Sequence, residues 1–243
     1  MSDAQTPDRE PFAGRLALVT GASRGIGAAT AEALAAAGAH VILTARTARD
    51  LEAVEERIHA AGGNATIAPM DLAEPDAIAR LATAMAGRWN ALDIMVLNAA
   101  ILPQLTSVAD IDPVAFTKAL TVNVVATQAL IARFDPLLRK SAKARVIGLT
   151  TSVADGPRAY WGAYGASKAA FEVLLEAYAQ EVQNISSVRV AVINPGPTRT
   201  KMRAIAYPGE DPASLKAPEV VAERLVALLT SDFPTRYRET YPR

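Results

Sequence analysis

Leu16-Ala17-Leu18-Val19-Thr20-Gly21-Ala22-Ser23-Arg24-Gly25-Ile26-Gly27 is the stretch that decides the fold. Leu16 to Thr20 is a nearly continuous apolar run, as a strand buried on both faces requires. Glycines follow at 21, 25 and 27, and the residues from Ile26 to Ala37 have the pattern of a helix. Glycine permits a tight turn and close backbone approach. The amino end of a helix presents unpaired N–H groups and a positive dipole, so this corner is suited to cradling a phosphate. The spacing differs from the general G-x-G-x-x-G fingerprint: it has one more residue between the first two glycines and one fewer before the last. A plain glycine turn is the alternative, and the position between strand and helix favours the cradle.

Outward from this corner, apolar runs recur at Val41 to Ala45, Ala65 to Pro69, Ile94 to Leu97, Arg145 to Thr150 and Val188 to Ile193. Helical stretches alternate with them at about Ile26 to Ala37, Ala48 to Ala61, Glu74 to Arg88, Pro113 to Arg139, Ala163 to Gln183 and Pro218 to Ser231, several with Pro or Asp near the start. Six alternations predict an α/β, doubly wound Rossmann fold: a mostly parallel sheet of six to seven strands with helices on both faces. Ligands of such sheets bind beyond the carboxyl ends of the strands. No composition shift marks an internal boundary, so residues 13–243 read as one domain behind a flexible amino-terminal tail, 1–12.

With 243 residues, 51% hydrophobic and 21% charged, the chain can bury a substantial core. Lys plus Arg and Asp plus Glu are 25 each, so no global field draws nucleic acid or an anionic membrane. There is no cysteine, which excludes disulfides and thiolate chemistry and fits a reducing compartment. The two histidines, His40 and His59, lie in an apolar run and a polar helical stretch, so no metal site is expected. Met1 to Pro11 has no apolar core, and no segment approaches 18 consecutive apolar residues without a break. A cytoplasmic protein with no membrane span is expected.

Tyr164-Gly165-Ala166-Ser167-Lys168 carries the chemistry, because four-residue spacing on a helix puts a phenol and an ammonium on one face. A cation at about 4 Å, with an effective dielectric of about 20, favours the phenolate by roughly 4 kcal/mol, or about three pKa units. The tyrosine is then expected to titrate near working pH, as an acid–base catalyst should. Cofactor choice follows from charge. The second strand ends Leu43-Thr44-Ala45-Arg46, without the acid that would bind the ribose hydroxyls of NAD. Arg46, and Arg24 in the glycine loop, suit a 2′-phosphate, so NADP(H) is favoured over NAD(H). The alternative is that Arg46 and Arg49 coat a solvated helix start. Asp71, in Met70-Asp71-Leu72, either accepts from an adenine amino group, with Leu72 beside it, or caps the following helix.

These residues, taken in order, resemble the classical short-chain dehydrogenase/reductases over most of the chain, from Arg15 to about Met202. The resemblance rests on Thr20-Gly-Ala-Ser-Arg-Gly-Ile-Gly27, Asn98-Ala99-Ala100, Asn123, Ser152, Tyr164-x-x-x-Lys168 and Asn194-Pro195-Gly196. It implies that Gly21, Ser23, Arg24, Gly25, Ile26 and Gly27 hold the pyrophosphate, with Asn98 and Ala99 on the adenosine side. Tyr164 would exchange a proton with a substrate oxygen, and Lys168 would lower the phenol's pKa and hold the nicotinamide ribose. Ser152 would bond the reacting oxygen, and Asn123 would hold a relay water beside the lysine. The family usually places this serine about thirteen residues before the tyrosine. Thr151 is at that distance and Ser152 at twelve, but Ser152 directly precedes Val153, as in the family's Ser-Ser-Val pattern. Pro195, Gly196 and the main chain at Thr198 would meet the carboxamide, and Thr200 a cofactor phosphate.

The resemblance further implies an enzyme acting on a small-molecule carbonyl or secondary alcohol, and a homodimer through the helices at 113–139 and 163–183. The sequence departs from the family at Leu97-Asn98-Ala99-Ala100, where Asn-Asn-Ala-Gly is usual. It departs again at Tyr237-Arg238-Glu239-Thr240-Tyr241-Pro242-Arg243, which leaves a short last strand and a tetramer open. The segment at about 197–218, with Met202, Ile205 and Tyr207, is expected to cover the cleft. Trp161, Ile101 and Leu102 would make the pocket apolar, and Arg158, Arg199 and Arg203 could meet an anion. A catalytically silent dinucleotide sensor is the competing class. It would need the cradle but not Asn123, Ser152, Tyr164 and Lys168.

Overall fold

The computed structural model describes residues 10–74 and 76–242. Seven strands form one sheet: β1 Leu16–Thr20, β2 His40–Thr44, β3 Asn64–Ile67, β4 Ile94–Leu97, β5 Arg145–Leu149, β6 Arg189–Asn194 and β7 Tyr237–Thr240. Their spatial order is β3-β2-β1-β4-β5-β6-β7, and every adjacent pair is parallel. The six apolar runs are six of these strands. The seventh, Tyr-Arg-Glu-Thr, is an edge strand whose residues alternate between half-buried and exposed. The helices are α1 Gly25–Ala36, α2 Ala48–Ala60, α3 Ala77–Ala86, α4 Pro113–Leu120, α5 Ala126–Leu138, α6 Ser152–Asp155, α7 Gly162–Val182, α8 Lys201–Ala206 and α9 Pro218–Thr230.

Alternate residues of each strand enter two cores. Ala17, Val19, Val41, Leu43, Ile94 and Val96 pack beneath α1, α2 and α9. Leu16, Leu18, Ile42, Met95 and Leu97 pack against α3, α5 and α7. A strand buried on both faces has no position to give to a polar residue, which is why the runs read as continuous rather than alternating.

Three features differ from the sequence reading. Residues 1–9 of the expected tail lie outside the described residues, but Phe12, placed in that tail, is 1% exposed, and its N–H donates to the Ala37 carbonyl at 2.9 Å. The long helix at 113–139 is broken by a π turn, Thr121–Val125, between α4 and α5. Counted as one rod, Pro113–Leu138 is long and apolar enough by composition to cross a membrane, although polar residues interrupt its apolar run. Here its α5 part packs on α3, and its α4 part and the π turn pack on α7.

Gly148 sets how closely α7 lies on the sheet. A Cβ there would overlap the Leu175 side chain and come within 2.9 Å of the Phe171 ring, both on α7. Gly148→Ala is therefore expected to overpack this contact and destabilise the fold by about 1–3 kcal/mol. Urea unfolding should show a lower midpoint at an unchanged m-value.

Candidate active site

The sheet order reverses between β1 and β4, and beyond the carboxyl ends of the strands there a cleft of about 1050 Å³ opens. A knot of hydrogen bonds ties the two strand ends together. Thr20 Oγ1 donates to the Val96 carbonyl at 3.2 Å and accepts from the N–H groups of Asn98 and Ala99, both at 3.0 Å. The Asn98 amide donates in turn to the carbonyls of Thr20 at 2.8 Å and Gly21 at 3.2 Å. Gly27 packs directly under this knot. A Cβ on it would strike the Gly21 carbonyl and the Asn98 amide, so only glycine lets the first turn of α1 close over the loop. Ala100 keeps an ordinary negative φ, so the usual glycine at that place is not needed.

A dinucleotide fits this end of the cleft. Gly21, Ser23, Arg24, Gly25 and Ile26 line it, and the unpaired amino end of α1 opens into it. The methyl of Thr200 stands 3.5 Å from where a Gly25 Cβ would be, which brings the two phosphate-side candidates together. The Thr200 hydroxyl caps α8 by accepting from the Arg203 N–H. Arg24 and Arg46 are exposed, form no ion pair among the described residues, and line the same end with Asp71 and Leu72. Asp71 does not cap α3: its Oδ1 accepts from the Ala73 N–H at 2.9 Å, which closes a local turn. Asn98, Ala99, Pro195, Gly196 and Thr198 also line the cleft. Gly196 lies at φ +65° with its Cα against the Tyr241 carbonyl, and Thr198 Oγ1 donates to the Gly196 carbonyl at 3.1 Å.

Ser152, Tyr164 and Lys168 line the other end. Ser152 does not close a strand: it opens the short helix α6 and accepts from Arg158 Nη2 at 3.3 Å. Met202, Ile205 and Tyr207, from the segment after Pro197, line the cleft with Trp161, Ile101 and Leu102. Trp161 sits between Tyr164 and Tyr207, with ring centroids 6.1 and 5.6 Å away. Arg203 is tied to Glu210 at 2.5 Å, whereas the Arg158 guanidinium donates to the hydroxyls of Ser152 and Tyr207.

Asn123 sits behind the cleft rather than on it. Its Oδ1 accepts from the Ile101 N–H at 2.9 Å, and its Nδ2 donates to the Ile101 carbonyl and to Ser167 Oγ, both at 3.0 Å. This side chain is thus a buried brace between the π turn, the loop after β4 and α7. One residue beside the site was missed in the sequence. Glu172 on α7 accepts from Thr150 Oγ1, and from Arg238 Nη2 of β7 at 2.8 Å. Its one legible signal was a further four-residue step from Lys168.

The electrostatics reverse the sequence expectation. Burial pushes the Tyr164 phenol up to about 12, and its hydroxyl has Met202 Sδ as its partner, at 3.9 Å. Burial pulls Lys168 down to about 7, with the Glu172 charge acting against it. The ammonium donates to the Leu149 carbonyl at 2.5 Å and lies 3.6 Å from the Phe171 ring centroid, not against the phenol. The charge argument assumed a fully protonated neighbour aimed at the tyrosine. The same helix face that aligns the pair also desolvates both groups, at 8% and 3% exposure, and desolvation disfavours each charged form. The unfolded chain holds the Lys168 proton to about 10.5 and the folded chain only to about 7. Folded stability therefore rises with pH through that window, and the burial penalty is fully present below it. Lys168→Met should stabilise the cofactor-free protein near neutral pH by at most about 5 kcal/mol, seen as a higher thermal midpoint, and the gain should shrink as pH approaches 10. A melting series across pH checks the sign.

The short chain dehydrogenase family model matches residues 15–211. An uncharacterized oxidoreductase of Escherichia coli K12, YciK, is 36% identical over 229 residues, covering 93% of this chain and 90% of its own. A 3-oxoacyl-[acyl-carrier-protein] reductase of rhamnolipid biosynthesis from Pseudomonas aeruginosa is 38% identical over 214 residues, 85% of this chain and 80% of that one. The crystal structure of a short chain dehydrogenase from Escherichia coli CFT073 complexed with NADPH is similar at TM-score 0.89 and 36% identity, covering 96% of this chain and 99% of that one. With an all-parallel seven-stranded sheet, a glycine corner at its switch point and these relatives, the chain belongs to the short-chain dehydrogenase family of oxidoreductases.

Proposed function

We propose that this protein is an NADP(H)-dependent oxidoreductase that interconverts a carbonyl and a secondary alcohol, with carbonyl reduction the forward direction and Tyr164 the general acid–base. The observation that carries the reading is that Ser152, Tyr164 and Lys168 line one continuous cleft with the glycine corner at the sheet's switch point. When bound, the nicotinamide supplies hydride to the carbonyl carbon or accepts it in the reverse direction. The carbonyl oxygen gains the phenol proton of Tyr164 while the Ser152 hydroxyl bonds it and fixes its position. A phenol at about 12 holds that proton at every working pH, which suits an acid in the reductive direction. Trp161, Tyr207 and Met202 exclude water from the reacting carbon, and the Met202 contact at the phenol marks the space a substrate oxygen would take.

Selection of NADP(H) is assigned to Arg46 and Arg24, two exposed guanidiniums free to pair a 2′-phosphate at the end of β2. Crystal structures of relatives with NADP and NADPH support this reading. Exposed Val114, Val125 and Val173, on α4, the π turn and α7, are consistent with a homodimer through those helices.

A panel of ketones assayed with NADPH and NADH tests the activity. Tyr164→Phe should lower kcat/KM by about 10²- to 10⁴-fold while NADPH binding persists. Wild-type protein that binds NADPH and turns over no carbonyl would instead indicate a silent sensor. Arg46→Ala should weaken NADPH by roughly 10- to 100-fold, the worth of one charge-assisted phosphate contact, and NADH little. Equal losses by calorimetry would sink the phosphate assignment.

A further inference from the structure

Glu172 is a charged side chain in the interior that the reaction proposed above does not use. It is 6% exposed, yet both of its oxygens are engaged: Oε1 accepts from the Thr150 hydroxyl at the end of β5, and Oε2 accepts from the Arg238 guanidinium of β7. Arg238 also reaches Asp155 of α6 at 3.2 Å. Accepting on both oxygens is the behaviour of an ionised carboxylate, and an arginine partner makes the bond charge-assisted. Four elements therefore meet at one buried negative charge.

That charge lies one helical turn from Lys168. On α7, residues 164, 168 and 172 follow each other at four-residue steps and so stack along one face. The Lys168 Nζ donates to the Leu149 carbonyl, and Leu149 directly precedes the Thr150 that holds Glu172. The elements packed on α7 carry other charges, among them Lys118 on α4, Asp135 on α5, Asp155 on α6 and Arg189 on β6. Glu172 is the one whose field registers at the Lys168 ammonium. The neighbouring groups from β5 and the π turn are the Leu149 carbonyl, the Thr150 hydroxyl and, through Ser167, the Asn123 amide.

We propose that Glu172 is a positioning residue for Lys168: its carboxylate, anchored one turn away by Thr150 and Arg238, keeps the buried lysine in its ammonium form. The proposal rests on the assignment of Lys168 to the proton-transfer end of the cleft and extends it. Burial alone would discharge the amine near neutral pH, and an uncharged Lys168 would neither favour the phenolate in the oxidative direction nor grip a ribose hydroxyl as a cation. The Glu172 carboxylate opposes that discharge without occupying the ammonium's hydrogen bonds, which stay free for the Leu149 carbonyl and the cleft. β7 is thereby coupled to the chemistry, because Arg238 fixes the carboxylate that fixes the charge.

The test reads Lys168 directly and needs no substrate. The full chain, labelled with ¹³C at lysine Cε, is titrated by NMR with and without NADPH, and the Lys168 signal is assigned by its loss in Lys168→Arg. In Glu172→Gln the Lys168 titration should move down by about one pH unit, a tenfold loss of proton affinity. Glu172→Asp, which keeps the charge, should stay near wild type. Glu172→Gln leaves Arg238 facing a neutral partner and could fail to fold. The double substitution Glu172→Met with Arg238→Met replaces the ion pair by apolar groups, an exchange folds commonly tolerate, and should show the same downward shift. If Lys168 titrates as in wild type in either folded variant, or if Glu172→Asp shifts as far as Glu172→Gln, Glu172 is only a strut and the proposal falls. A protein that reduces no carbonyl would defeat the functional reading above and leave this titration unchanged.

Discussion

The cleft depends on the hydrogen-bonded knot around Thr20. A parallel sheet whose order reverses leaves two strand ends diverging at the switch point, and helices depart on opposite faces from β1 and β4. Something must pin the gap at a fixed width. Here one hydroxyl and one amide do so through five bonds, all between residues 20, 21, 96, 98 and 99. With the gap fixed, the Gly21 carbonyl and the Asn98 amide leave no room for a side chain at 27, so α1 must begin where its free N–H groups face the cleft. The suitability of the corner for a phosphate is thus a consequence of packing beneath it as much as of the loop itself.

At the opposite end, geometry and electrostatics pull against each other. Bringing a phenol and an ammonium to one helix face and pressing that face onto the sheet at Gly148 aligns them, but it also removes the water that would stabilise their charges. A Coulomb estimate from spacing alone sees only the attraction. With the lysine at about 7 and the tyrosine at about 12, desolvation is the larger effect in the cofactor-free protein. A buried counter-charge such as Glu172 is then a requirement of the design, because burial left uncompensated would leave the amine neutral.

Much of this was legible in the sequence, for definable reasons. Strands buried on both faces have no polar positions, so Leu16–Thr20 and Ile94–Leu97 announce themselves within a residue. The cleft-lining residues at 21, 23–26, 46, 71–72, 98–99, 152 and 195–200 lie in the segments that follow strand ends, where a doubly wound sheet gathers them whatever the loop details, and 164 and 168 lie on the first turns of α7. Illegible were the contacts made across the chain by polar side chains. Nothing local told that Asn123 would brace Ile101 and Ser167 from a π turn, or that Phe12 would be covered by the end of α1. The half-polar β7 reads as a tail because an edge strand shows only one buried face.

β7 gathers a separate set of long-range contacts. Its pairing with β6 continues into the Tyr241 N–H, which donates to the Asn194 carbonyl at 2.9 Å, and Lys216 donates to the Pro242 carbonyl. The Tyr241 carbonyl presses on Gly196, so the Pro195-Gly196 turn is clamped from behind while Thr240, Tyr241 and Pro242 themselves line the cleft. One residue pair away, Arg238 reaches Glu172 and Asp155. A four-residue strand of weak intrinsic preference at a sheet edge adds little to stability by itself. Its contacts instead fix the Pro195-Gly196 turn and the buried carboxylate beside Lys168 together, so displacing β7 would loosen both while leaving the sheet's central strands paired.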